Sequence, residues 1–153
     1  MSSTCSSQKK PNQAPEPTAP SGRAHLERSA KTTDMHATDL FEVYSRIHSY
    51  WDPYITAELN GQLVKCAKLK GEFVWHKHDG EDELFLVHRG ILHMRLRDCV
   101  VTIGPGQLFV VPRGVEHQPY APEEVEVVLF EPASTLNTGN VRNALTKDVL
   151  KHA

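Results

Sequence analysis

The chain has 153 residues, with 17 lysines and arginines against 19 aspartates and glutamates, for a formal net charge of −2. That length predicts one domain with ample hydrophobic core, and the charge balance gives no electrostatic case for nucleic acid or an anionic membrane surface as partner. No apolar run approaches the ~20 residues of a spanning helix, and the opening MSSTCSSQKKPNQAPEPTAP lacks the apolar core of a secretory signal, so a cytoplasmic protein is expected.

Residues 1–35 are rich in Ser, Thr, Pro and Lys, and no aromatic residue precedes Phe41. Such a segment buries too little apolar surface to offset its ordering entropy and is expected to be disordered. The folded domain then spans residues 36–153. Cys5, Cys66 and Cys99, odd in number and widely spaced, match neither a disulfide framework nor a zinc pattern.

Asp39 can cap a short helix, with Glu42 placed to reach back to the cap. Leu40, Val43, Tyr44 and Ile47 share one face of that helix, which is expected to pack on the outside of the domain. Pro53 disfavours helix for the residue before it, so Trp51-Asp52-Pro53 ends the segment.

From Tyr54 the pattern turns to short strands separated by turn residues. The strand candidates are Tyr54–Leu59, Gln62–Leu69, Phe73–His78, Glu83–Val87, Ile91–Arg97, Val100–Ile103, Gln107–Val111, Glu116–Ala121 and Val125–Phe130. Asn60-Gly61 is a strong two-residue hairpin signal. So many strands with almost no helix between them predict an all-β sandwich or barrel. Thr146–His152 is read as a last helical turn.

The residues that carry chemistry lie at 76–117. His76 and His78 are two apart, so on an extended strand their side chains leave the same face. Asp79-Gly80-Glu81-Asp82 reads as a loop, after which Glu83 can turn back toward both imidazoles. His117, just beyond Pro112-Arg113-Gly114, completes a set of three imidazoles and one carboxylate. Such a set can hold one divalent transition metal, and Mn, Fe, Ni, Co and Zn all suit it. Asp82 competes with Glu83 for the carboxylate position. His25, His36, His48, His88, His93 and His152 are expected to be solvated. By strand parity Val74, Leu92, Met94, Leu96, Val115 and Pro119 face inward, which makes the expected pocket mostly apolar. Arg113 at its rim is the candidate contact for an anionic substrate.

Gly71, His76, His78, Glu83 and Gly90 resemble the first sequence motif of the cupins, and Gly106, Pro112, Gly114 and His117 resemble the second. The resemblance covers roughly residues 50–132, and its Glu83-to-Gly90 interval favours Glu83 over Asp82. It implies a double-stranded β-helix, the jelly-roll barrel, with the metal inside. Ala121 stands where the second motif often carries Asn, which removes a polar group from the pocket. The core is similar to that of short single-domain bacterial cupins described as mannose-6-phosphate-isomerase-like, and EPASTLNTGN at 131–140 is similar to the tail of that group. This implies a metal-dependent isomerase of a small molecule such as a sugar phosphate. An iron-dependent dioxygenase of a small substrate and a non-catalytic small-ligand binding protein are the alternatives. Barrels of this family commonly pair, so a homodimer is expected.

Overall fold

Asp39 caps the first helix: its side chain accepts from the Phe41 N–H at 2.8 Å. The structure is a computed structural model that describes residues 36–153; the expected disordered segment, 1–35, lies outside the described residues. Helix α1 is Leu40–Arg46. Glu42 pairs with Arg46 one turn on instead of reaching back to the cap. The helix also stops earlier than Pro53 requires, because Ile47 is already extended and its N–H bonds Tyr44 O. Val43, Tyr44 and Ile47 are buried against Cys66, with Tyr54 and Val128 beside them, so the apolar face covers the outside of the sheet as expected.

The strands are β1 Tyr54–Leu59, β2 Gln62–Glu72, β3 Glu83–Arg89, β4 Leu92–Leu96, β5 Val100–Ile103, β6 Leu108–Val111, β7 His117–Pro132 and β8 Lys151–His152. Asn60 and Gly61 link β1 to β2 with positive φ of 53° and 80°, the conformation a two-residue primed turn requires. The long strand β7 organises the rest. It pairs with β2 over nearly its whole length, with β4 through His117–Tyr120, and with β3 through Glu126–Phe130. Strands β3 and β4 therefore share one edge of β7, and Gly90 between them lies hard against it. A Cβ at Gly90 would stand 2.6 Å from Glu124 O, and its φ is +87°.

Three expectations differ. Glu116–Ala121 and Val125–Phe130 are parts of one strand, because β2 runs on to Glu72 and holds both. The register slips between Leu69/Val125 and Gly71/Ala121, so Pro122, which has no N–H to donate, falls in the bulge. Phe73–His78 is not a regular strand, and only His76 bridges to His117. Lys151–His152 pairs in parallel with Tyr54–Ile55 on β1, where a helical turn was expected. Lys151 Nζ is tethered there by Asp52 at 3.0 Å.

Alternation sorts the core into two parts. Ala67, Leu69, Phe85, Val87, Leu92, Met94, Val125, Val127 and Leu129 fill the barrel interior, while the smaller group lies under α1. His88 is not solvated: it is half-buried on the outer face, between the rings of Phe41 and Tyr44 at 5.0 and 5.2 Å. Among the described residues no helix is long and apolar enough to cross a membrane.

Candidate metal centre

Three chain segments bring the four residues together. His76 and His117 exchange backbone hydrogen bonds of 3.0 and 2.9 Å, which sets their rings side by side with centroids 4.2 Å apart. Gly114 N–H donates to His78 O at 2.7 Å and Phe73 N–H to Pro119 O at 3.0 Å. The Gln118 side chain donates to Phe73 O at 2.8 Å, standing in where the ladder is out of step. Glu83 is the first residue of β3 and pairs with Val111.

His76, His78, Glu83 and His117 are all buried, and their candidate ligand atoms lie within 4.8 Å of one another. Donors held by one ion at about 2.0–2.2 Å stand roughly 3–4.4 Å apart, so little adjustment is needed. The Nδ1 atoms of His76 and His117 sit 3.0 Å from the carbonyls of Val74 and Val115. A carbonyl only accepts, so each Nδ1 carries the proton and each Nε2 presents its lone pair to the interior. Glu83 Oε2 is 3.2 Å from His78 Nε2 and 3.3 Å from His117 Nε2, yet all three atoms are buried without a hydrogen-bond partner. With neutral imidazoles, acceptor faces acceptor at His117 and Glu83, a contact that a cation between them would relieve. The cluster fits a divalent metal. Asp82, the competing carboxylate, is half-exposed and accepts from the Arg113 N–H at 2.9 Å.

Burial holds His76 well below the ordinary imidazole range, at about 4, and His117 beside it adds to the effect. Burial also opposes charge on His78, but the Glu83 carboxylate outweighs it and pushes His78 up. For Glu83 burial alone would raise the pKa; His117 and His78 prevail and hold it below the carboxylate range. A metal must displace protons from its ligands. Affinity should therefore weaken as pH falls, with His78 protonated before His76. Metal titrations at pH 8, 7, 6 and 5 check this, and a flat affinity across that range would remove His78 from the ligand set.

Beside the cluster lies a cavity of about 40 Å³. Trp51, Leu69, Phe73, Phe85, Pro119 and Leu129 are among its apolar walls, and Glu83, Glu131 and Asn137 are its polar ones. Of the residues expected to line it only Pro119 does. Leu92 and Met94 are fully buried in the solid part of the core. Trp51 holds a left-handed φ of 58°, fixed by its N–H to Lys68 O at 3.0 Å and its indole N–H to Lys70 O at 2.9 Å.

Two charged groups of the interior escaped the sequence reading. Lys65 and Glu131 form a fully buried ion pair with Nζ 2.6 Å from Oε1, and Glu131 Oε2 has no partner. Burial pushes the Glu131 carboxyl up to about 7; the charge of Glu83 adds to this and Lys65 opposes it. Parity held the signal: Lys65 shares a strand face with Ala67 and Leu69, and Glu131 with Leu129 and Val127. The segment after β7 was also given no role, yet it packs on the centre. Asn140 N–H donates to Lys77 O at 3.0 Å, and Asn140 Oδ1 accepts from Lys77 N–H at 3.0 Å. Gly139 lies so close that a Cβ there would be 2.2 Å from Lys77 O and 3.3 Å from His78 Nδ1. Arg113, the expected substrate contact, is placed elsewhere. It is exposed, with Nε 3.9 Å from Asp82 Oδ1, and it lines a surface depression with Gly80, Glu81 and Val110.

A family model described as cupin domain matches residues 64–131. A cupin-2 domain containing protein from Shewanella frigidimarina NCIMB 400 has a solved structure similar to this one, at 39% identity and a TM-score of 0.62, covering 62% of this chain and 93% of that one. Protein NMB1881 from Neisseria meningitidis is similar at 28% identity and a TM-score of 0.59, covering 64% of this chain and 100% of that one. Among curated proteins, the uncharacterized protein YdbB of Bacillus subtilis (strain 168) is 32% identical over 63 residues, which are 40% of this chain. The match spans 56% of that relative's length.

Proposed function

The chain belongs to the cupin superfamily, and on that premise we propose that it is a metal-dependent enzyme of isomerase type acting on a small hydroxycarbonyl compound. The observation that carries the reading is the set of unpartnered buried ligand atoms, His78 Nε2, Glu83 Oε2 and His117 Nε2, with Glu83 also lining a cavity walled by apolar side chains. A divalent ion held by His76, His78, Glu83 and His117 supplies a Lewis acid able to polarise a carbonyl oxygen. The carbonyls of Val74 and Val115 fix the imidazole orientation, and the apolar walls keep water from the reacting atoms. Glu131 supplies a carboxylate outside the ligand set on the same cavity, which proton transfer between neighbouring carbons requires.

A sugar phosphate suits this cavity less well. Among the described residues none that lines it is cationic, and Arg113 is exposed on a surface depression. The same apolar walls favour a second reading, an iron-dependent dioxygenase of a small apolar substrate.

Metal analysis of protein purified without added metal, paired with a substrate panel, separates the two. The expected result is manganese or zinc, no substrate-dependent oxygen uptake, and solvent deuterium entering hydroxyacetone or glycolaldehyde beside the carbonyl. Iron with substrate-dependent oxygen consumption would establish the dioxygenase instead. Interconversion of mannose and fructose phosphates would restore the sugar-phosphate substrate. With no turnover of any panel member, the barrel is a binding protein.

A further inference from the structure

Lys65 and Glu131 are 0% and 1% exposed, which is a costly way to fill a barrel. An apolar pair of similar volume generally serves stability as well or better. The pair is also unevenly satisfied. Glu131 Oε1 receives Lys65 Nζ at 2.6 Å, while Oε2 is buried with no partner. An acceptor left unserved in a dry interior is expensive, and Glu131 lines the cavity that Glu83 also lines. Strand β3 meets β7 with Leu84 opposite Phe130. One step further along each strand sets Glu83 across from Glu131 on the inner face.

We infer that Glu131 is the residue that recognises the ligand of this cavity, through a ligand hydroxyl that donates to Oε2, and that Lys65 is the positioning residue behind it. The ligand class follows from the walls. The cavity, about 40 Å³, is a small one, so the ligand is a small molecule. Among the described residues no lining side chain is cationic, so nothing there favours a phosphate on the ligand. It is a compact, uncharged compound with a hydroxyl at the Glu131 end. That its other end is a carbonyl, directed to the metal cluster, rests on the isomerase reading; the hydroxyl contact does not.

The test compares hydroxyacetone with acetone, which lacks only the hydroxyl, by following backbone amide shifts in the metal-loaded and the chelator-treated protein. Hydroxyacetone should bind the wild type at least about tenfold more tightly than acetone, the discrimination of one buried hydrogen bond, with the largest shifts at Leu129–Glu131. The double variant Lys65→Met/Glu131→Leu removes both charges together and so avoids a lone buried ion. It should keep its circular dichroism and metal content and lose the preference. Equal affinities in the wild type would overturn the proposal without any variant. So would a preference that survives in the double variant, since a group other than Glu131 would then be taking the hydroxyl. Absence of metal from the wild type would sink the isomerase reading alone, because the hydroxyl preference is scored in the chelated protein as well.

Discussion

Replacing His78 with alanine should reduce bound divalent ion from one per chain to none measurable, with the barrel still folded. The side chain contributes one of the four donor groups that converge among the described residues. Losing a ligand should exceed the 10–100-fold loss typical of residues that merely support ligands. The backbone at this position does not depend on the imidazole. His78 O is held by Gly114 N–H, and neighbouring Lys77 is tied on both its N–H and C=O to Asn140. The fold should therefore lose only about 1–3 kcal/mol, as for an ordinary buried truncation. Elemental analysis reads the first effect and thermal melts read the second. Melts add a control through linkage: a chelator should lower the melting temperature of the wild type and leave the variant unmoved. Asp82→Ala, which alters the half-exposed carboxylate next in sequence to Glu83, should retain full metal. Undiminished metal in His78→Ala would place the ion outside this cluster.

The convergence of His76, His78, Glu83 and His117 was legible because it depends on local parity and on turns. His76 and His78 leave one face, Gly80 lets the loop turn back, and Glu83 begins the strand that follows. Phe73–His78 was misread as a strand for a reason that alternation does not reveal. His76 pairs with His117 one step out of register from Phe73 and Pro119, and a glutamine side chain fills the gap. Arg113 lies close to the second motif in sequence, but Gly114 turns with φ +77° and Asp82 takes the Arg113 N–H, so the guanidinium ends up outside. Lys65 and Glu131 were missed through the presumption that charged residues in a strand face water. They sit in phase with Ala67, Leu69, Val127 and Leu129, which fill the interior, and only the three-dimensional pairing shows each as the other's counterion. The packing of Gly139 and Asn140 on the histidine segment joins residues some 60 positions apart, which no local pattern encodes.

The buried pair gives the second large effect. Lys65→Met should destabilise the protein by about 3–5 kcal/mol at pH 8, whereas Lys65→Met/Glu131→Leu should return to near wild-type stability. The single change leaves a carboxylate beside Glu83 of the neighbouring strand with nothing to balance it; the double change leaves apolar surface in a mostly apolar wall. The loss should also depend on pH, with a definite sign. Burial, reinforced by Glu83, raises the Glu131 carboxyl to about 7 in the folded protein from an ordinary 4.5. Between those values the folded state binds more protons than the unfolded state. The contribution of Glu131 thus favours folding in acid and is lost as pH rises through about 7. Lys65 opposes that rise, so its removal moves the folded value higher still, and the variant can escape part of its penalty by protonating Glu131. Urea denaturation should accordingly show a smaller loss at pH 5.5 than at pH 8. Equal losses at the two pH values would mean that Glu131 stays charged without its lysine. A double variant as unstable as the single one would mean that the barrel needs the ion pair for its own packing, and that these two charges are not held in place for a ligand.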